Sequence, residues 1–566
     1  LKFKGRFRLP DAWNWREQPL LAGLLALFAV QAIASLSWRF VHDGTLLQYA
    51  AFLVLEHGKI PYRDLWDINL PGTYLFNFFW IKVFGYSDFG FRLLDLLWLG
   101  GILAVIFRII RRFGEAAAWM AVAVVGLCYI SDAPLDSLQR EWILALPLLI
   151  ITWLVIDGKF TLTARGLIAG VVFGFIFLIK PHAVILWPLL LAYEASSHSH
   201  EGGNPDKIEQ TRLARLDSHL RGNDAAIGFS WNHAVFFTLF TTLGFIAALL
   251  PVVWWMTANQ AWTGFLDIVK NYYPLHAELS GGHDVVVGVK RYQALVEETL
   301  RMGGNVSWVI AAGVGYWLLL TRVTVNREDK RVLALLGGAG VIFTIYPAIS
   351  GQFWAYHFAL MQVFILPLTA ATLFHRDTKM IFGQSLFPSI LIFTALLFGP
   401  RIPVSTDFIH QVIYQQVKPP KYGRVDEMAD FLKSHLKLGD KVQPLDWTGG
   451  AVQAALIAKA DLATSFICDA QFYHHLDSPY IERLRFRFIC ELEASQPRFI
   501  LEMTAEDKPW PTGPNTTRDF PALQAFLVDY RIVLEQNGYR IWEKRDRRTD
   551  PFYQPMGIDN NHSEQK

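Results

Sequence analysis

Residues 19–38 read PLLAGLLALFAVQAIASLSW, a run without a single charge. A helix rises about 1.5 Å per residue, so about 20 apolar residues cross the hydrocarbon of a bilayer. This run is long enough. A basic stretch, Lys2 to Arg16, precedes it, and Ser37-Trp38-Arg39-Phe40 closes it without a small-residue cleavage site. The reading is a first transmembrane helix and not a cleaved signal peptide.

The same pattern recurs downstream. Apolar runs lie at 92–110, 115–131, 142–157, 165–179, 182–194, 233–256, 305–320, 332–349, 357–374 and 381–398. The shorter ones suit tilted or partly buried helices. Composition agrees: 52% of the 566 residues are apolar, 14% are aromatic and 18% are charged. A soluble domain is nearer a quarter charged. Net charge is +2, so no basic surface points to nucleic acid. Three cysteines are too few for a disulfide framework. Cys128 sits in an apolar run, while Cys468 and Cys490 lie in the polar C-terminal part and either pair or stay free.

One run is ambiguous. Residues 71–85, PGTYLFNFFWIKVFG, could cross the membrane or lie along its surface. Positive residues in short loops prefer the cytoplasm. The basic start places the N-terminus inside. Arg108, Arg111 and Arg112 are then also inside only if 71–85 does not cross. With that choice Lys159 and Arg165, Lys207 to Arg221, Arg322 to Arg331, and Arg376 with Lys379 also fall inside. Residues 39–91, 132–141, 180–182, 257–304, 350–356 and everything after 399 fall outside. The expected fold is a mainly α polytopic helical bundle of about eleven spans, followed by a small C-terminal α/β domain.

The expected domains are a membrane domain over 1–399, a soluble domain over 400–545 and a disordered tail over 546–566. The soluble part reads as helices at Val425–Leu438, Ala451–Lys459 and Ile481–Glu493. Strands are expected at Lys441–Leu445 and Arg498–Glu502. A hairpin over Tyr530–Glu543 turns at Asn537-Gly538. The membrane domain is interrupted at 195–231 by a polar, cytoplasmic stretch with His198, His200 and His219. It resembles a translated bacterial dispersed repeat, reads as a disordered insertion and not a metal site, and suggests a bacterial source.

The outer loops hold the residues able to do chemistry. The first runs from His42-Asp43-Gly44 through Tyr62-Arg63-Asp64 and Asp67-Ile68-Asn69. Asp43 sits where the first helix leaves the membrane. A carboxylate there either faces a wet cavity or caps the helix starting near Thr45, and both can hold at once. The second loop carries Asp132, Asp136, Arg140 and Glu141. Converging carboxylates could take a proton from an acceptor hydroxyl, while solvated loop acids explain such charges about as well. Lys180-Pro181-His182 is a third polar turn on that side. Its cation suits a lipid phosphate or is an ordinary snorkelling lysine. His42, Asp43, Asp64 and Asp67 could gather into an oxygen-rich site, but no tightly bound metal is expected.

The stretch HDGTLLQYAAFLVLEHGKIPYRDLWDINLPGTYLFNFFWIKVFG, with FRLLDLL after it, resembles the bacterial GT-C-fold glycosyltransferases. These are relatives of the protein O-mannosyltransferases and the lipid A aminoarabinose transferases. The resemblance runs over 19–399 and includes RE at 140–141, KPH at 180–182 and GQFWAYHFALMQVFILP at 351–367. It implies transfer of a sugar from a polyprenyl-phosphate carrier to a glycan, lipid or protein acceptor on the periplasmic face of the inner membrane. Asp43 would be the general base and Asp136 or Glu141 its acidic partner. Arg140 would hold a phosphate or position a carboxylate, and Lys180 and His357 would hold the carrier phosphate. His42, Tyr62, Arg63, Asp64, Asp67, Asn69 and His182 would line the substrate. No cofactor is implied. One departure stands out: where aminoarabinose-transferase relatives carry Lys-Pro, this chain reads Asn69-Leu70-Pro71, so either phosphate binding relies on another cation or the donor differs. A polymerase or ligase of whole oligosaccharides, using loop 257–304, is the second reading. A transporter is the third, weakened by the absence of an internal repeat and by acids placed at helix ends.

Overall fold

A computed structural model describes residues 18–41, 43–197, 230–279, 289–301, 304–322, 325–351, 353–376, 386–400, 403–415, 423–504, 520–536 and 538–545. Most of the polar insertion, His42, Asn537 and the tail lie outside these residues. The chain forms two compact units, Leu1–Pro420 and Lys421–Lys566.

In the first unit each expected span is helical. The helices are α1 (Pro19–Ser35), α2 (Asp43–His57), α3 (Pro71–Phe84), α4 (Asp88–Ile110), α5 (Glu115–Ile130), α6 (Arg140–Asp157), α7 (Leu162–Ile179) and α8 (Trp187–Ser197). After the insertion come α9 (Trp231–Ala258), α10 (Val306–Arg322), α11 (Arg327–Ser350), α12 (Ala359–Leu373), α13 (Leu386–Leu397) and α14 (Thr406–Tyr414). Among the described residues, five segments are long and apolar enough to cross a membrane: 88–113, α7, α9, α11 and 355–373. α1, α5, α10 and α13 are shorter apolar helices.

α3 has only 14 residues, about 21 Å of rise. Its first turn meets the last turn of α7, because a Cβ on Gly72 would lie 2.7 Å from that of Leu178. Its far end leads into α4, whose Asp88 accepts from Phe40 N at 3.1 Å, just beyond α1. Both ends of α3 therefore lie at the same end of the bundle, and residues 71–85 run along that end.

α7 and α9 make the closest helix pair. A Cβ at Gly170 would sit 2.1 Å from the Thr241 carbonyl oxygen, and one at Gly244 would sit 2.3 Å from that of Leu167. Glycines at 166, 170 and 174 leave α7 a flat face. Such faces let membrane helices gain dispersion contacts, since no hydrophobic force pairs helices in lipid.

The expected boundary at 399 is too early. Residues up to Pro420 belong to the first unit. Ser405 there bonds the buried Gln31 of α1 at 2.7 Å, a link that hydropathy cannot reveal.

The second unit is a five-stranded sheet in the order β2-β1-β3-β5-β4. Its strands are β1 (Lys441–Leu445), β2 (Asp461–Leu462), β3 (Phe499–Met503), β4 (Tyr530–Gln536) and β5 (Tyr539–Lys544). β1 runs parallel to β2 and β3. β5 is antiparallel to β3 and β4. Helices α15 (Arg424–His435), α16 (Ala451–Ile457), α17 (Pro479–Ser495) and α18 (Pro521–Leu527) complete the unit. Met428 and Leu432 bury the apolar face of α15. The three cysteines are free thiols.

Candidate active site

Two adjacent residues begin α6 and set the site. Arg140 and Glu141 stand about 100° apart around the helix, so they reach different neighbours. Arg140 donates to Asp43 Oδ2 at 3.2 Å and to Asn69 Oδ1 at 2.7 Å. Glu141, fully buried, forms an ion pair with Lys180. It also accepts from the Tyr346 hydroxyl at 3.1 Å, and His357 Nε2 lies 3.4 Å away. Lys180 Nζ is 3.4 Å from the same histidine nitrogen. Glu141 Oε2 has no hydrogen-bond partner.

Local sequence explains each placement. Asp43 is the first residue of α2, where a carboxylate meets the positive end of the helix dipole. It is the first residue of the helix itself and not a cap preceding a helix that starts at Thr45. Pro181 keeps Lys180 out of the helical region; its φ of −149° and ψ of 103° turn the side chain out of α7. Burial lowers the Lys180 ammonium to about 8, against the opposing pull of Glu141. His357 lies in the short turn Ala355–Phe358 ahead of α12. His182 stacks on Tyr346 with ring centroids 4.5 Å apart.

The first loop builds the wall beside Arg140. Asp67 Oδ1 accepts from Asn69 N at 2.8 Å and from Asn69 Nδ2 at 2.7 Å, which turns the Asn69 carbonyl oxygen toward Arg140. Burial raises the Asp67 carboxyl, while the Asn69 N–H and the charge of Arg140 pull it back down. The Tyr62 hydroxyl donates to Asn69 O. The Tyr273 hydroxyl donates to Ile68 O at 2.8 Å, bringing the later outer loop onto this wall.

Not every expected residue meets there. Arg63 and Asp64 pair with each other at 2.8 Å, and Asp64 also accepts from Ile60 N, so together they close a surface turn. Asp136 accepts from Trp142 Nε1 at 3.2 Å. His42 lies outside the described residues. Among the described residues no group of three or more His, Cys, Asp or Glu side chains could hold a metal ion.

Sequence reasoning missed a second buried cluster. Arg92 and Asp95, both fully buried, pair at 3.4 Å. Ser137 donates to Asp95 at 3.0 Å, and the Tyr129 hydroxyl also binds Asp95. Arg92 donates to the Trp38 and Arg39 carbonyls at 3.3 and 2.8 Å. This cluster ties the second outer loop to α4 and to the end of α1, and so fixes where α6 begins. The FRLLDLL stretch contained both charges. Two charges three residues apart inside an apolar helix are a signal of a buried pair. Tyr346 gave no signal, since a tyrosine in an apolar helix is unremarkable.

The opposite end of the bundle has its own ion pairs. Arg165 meets Glu194 at 3.0 Å, and Arg112 meets Asp329 at 2.8 Å. The 18 residues of α7 separate this end from Lys180.

Residues 71–205 match the family described as dolichyl-phosphate-mannose-protein mannosyltransferase. That segment contains Arg140, Glu141 and Lys180 but neither Asp43 nor His357. No curated protein matches the chain in sequence. Among solved structures, the fold is similar to ArnT from Cupriavidus metallidurans bound to undecaprenyl phosphate. The identity is 12% over 93% of this chain and 97% of that one, with a TM-score of 0.50. Archaeal oligosaccharyltransferase AglB from Archaeoglobus fulgidus, in complex with an inhibitory peptide and a dolichol-phosphate, matches at 10% identity. It covers 87% of this chain and 70% of that one, with a TM-score of 0.44. The chain has the GT-C fold of membrane glycosyltransferases.

Proposed function

We propose that this GT-C-fold chain transfers a sugar from a polyprenyl-phosphate carrier to an acceptor on the periplasmic face of a bacterial inner membrane. The observation that carries the reading is the meeting of Asp43 with Arg140 at 3.2 Å, directly beside the Lys180–Glu141–His357 group. A base and two cations converge at one end of the bundle, and burial strengthens their electrostatics.

Asp43 takes the proton of the acceptor hydroxyl. The oxygen attacks the anomeric carbon, the bond to the carrier phosphate breaks, and its electron pair leaves on the phosphate oxygen. Arg140 and Lys180 stabilise that growing charge. Aimed cations in a water-poor site do this without reorganising. Asn69 holds Arg140 in place where relatives use a lysine of their own. Glu141 keeps Lys180 charged and oriented until phosphate arrives.

The side follows from charge. Arg112, Arg165, Arg331 and Arg376 lie with the end opposite Lys180, and basic residues favour the cytoplasm. On this reading the N-terminus is cytoplasmic, about eleven segments cross, and the C-terminal unit is periplasmic.

The test uses purified protein and radiolabelled undecaprenyl-phosphate-linked sugars. Wild type should consume donor, and Asp43→Asn should lose about 10²–10⁴-fold in rate while eluting as a folded protein in detergent. Donor consumption at the wild-type rate by Asp43→Asn would remove Asp43 from the chemistry. No consumption by either protein, with oligosaccharide donors also inert, would sink the reading.

A further inference from the structure

α14 has a fixed side and a bare side. On the fixed side, the Ser405 hydroxyl accepts from Asp407 N at 3.2 Å and donates to the Ala133 carbonyl at 3.1 Å. Gln31, wholly buried in α1, accepts from Ser405 N at 2.7 Å and donates to Pro403 O at 3.0 Å. Gln411 accepts from Trp38 Nε1 at 2.9 Å and donates to Ser37 Oγ at 3.2 Å. These bonds seat the helix on the end of α1 and on the loop that leads into Arg140.

The bare side is apolar. Ile409, Val412 and Ile413 follow the i, i+3, i+4 rule of one helical face and are 38%, 60% and 65% exposed. A helix that needs only solubility would carry polar residues there. The polar bonds on the other side prevent it from rolling to hide the stripe.

The surroundings identify what covers it. Phe393, Leu397 and Phe398 of the preceding membrane segment are exposed, and that surface ends eight residues before α14 begins. Ile33, 70% exposed, is one turn from the Ser37 that Gln411 bonds. The stripe therefore starts where the lipid-facing surfaces of two membrane helices stop. Residues 403–415 contain no Lys or Arg, so headgroup charge is not what attracts it. Val289–Leu300, in the outer loop, repeats the pattern with Tyr292, Val296 and Leu300 at 64%, 54% and 54% exposure.

We infer that α14 is an interfacial helix whose Ile409–Val412–Ile413 stripe rests in the acyl–headgroup boundary of the leaflet on the active-site side. It acts as a strut that holds the loop carrying Ala133 at a set depth. Helices with one apolar face and a polar opposite face lie in the plane of the interface in this way, the apolar face in the headgroup–acyl boundary. The inference is independent of which group the enzyme transfers.

The experiment places a single environment-sensitive NBD label in the full-length chain after replacing Cys128, Cys468 and Cys490. The protein is reconstituted in phosphatidylcholine vesicles with and without a 5-doxyl lipid. Ile413→Cys and Ile409→Cys should give blue-shifted emission and quenching at least about twofold stronger than a label at Asp430→Cys. They should approach Phe393→Cys, a lipid-facing control. Labels at 409 and 413 that emit as in water and quench no more than the one at 430 would overturn the inference. Both side chains are exposed on the surface of the fold and pack into no core, so the substitutions leave the bundle intact.

Discussion

Arg140 and Glu141 are sequence neighbours with opposite duties. One reaches Asp43 and Asn69, the other reaches Lys180, Tyr346 and His357. On the proposed reading, phosphate meets a cation already committed to a carboxylate, and binding must outcompete Glu141. The ammonium matters most. Burial lowers Lys180 to about 8, so donor binding should weaken as pH rises through that value and the ammonium loses its proton. Lys180→Arg stays charged at every accessible pH. Its donor KM should rise less between pH 7 and 9 than that of wild type, whatever its absolute value. A KM in both proteins that is flat from 7 to 9 would show that the Lys180 charge does not hold the donor. These roles were only half legible from sequence. Residue types and loop order offered Asp43 and Lys180 as candidates, and the resemblance to the GT-C glycosyltransferases added Arg140 and His357. Which carboxylate meets which cation depends on the angle around α6 and on the turn that Pro181 imposes, and neither is written in spacing. Asp64 illustrates the cost: its position in the first loop suggested substrate contact, yet Arg63 one residue away claims both of its oxygens.

Elements were more legible than pairs. Long apolar runs must become helices in lipid because every backbone polar group needs an internal partner, and over the described residues each run is helical. The two-residue strand β2 left no periodicity to read. α18 also escaped, because a seven-residue helix beginning at Pro521 carries little pattern. Close packing of α7 on α9 makes a prediction at this scale. Gly170→Leu drives a side chain into the Thr241 carbonyl and must part the helices. Thermal unfolding in detergent should shift down by several degrees, as overpacking typically costs about 1–3 kcal/mol. Gly23→Leu, where a Cβ meets nothing within 4 Å, is the control and should leave the midpoint unchanged. Equal midpoints for the two variants would mean that the pair does not bear on stability.

At the scale of the molecule, function gathers at one end of the helical bundle, while the polar insertion enters between α8 and α9 near the other. Glu194 of α8 pairs with Arg165 at the start of α7, on the side away from Lys180. Deleting residues 198–226 should therefore leave donor turnover within about twofold of wild type, since a sequence of such low hydrophobicity offers little apolar surface to a core. Loss of turnover at normal expression would assign the insertion a role.

The ion pairs at the two ends of α7 have one more consequence. Arg165 and Lys180 are both clamped, and the fifteen steps from one to the other rise about 22 Å along the axis. A helix pinned at both ends cannot slide to suit its surroundings. In a membrane thinner or thicker than this fixed length, the mismatch must be absorbed by tilt or by deformed lipid. The strain then falls on the Lys180–Glu141 clamp. On the proposed function, acyl-chain length becomes a control variable for transfer, and a cell that remodels its lipids with temperature would retune the protein without altering a residue of it.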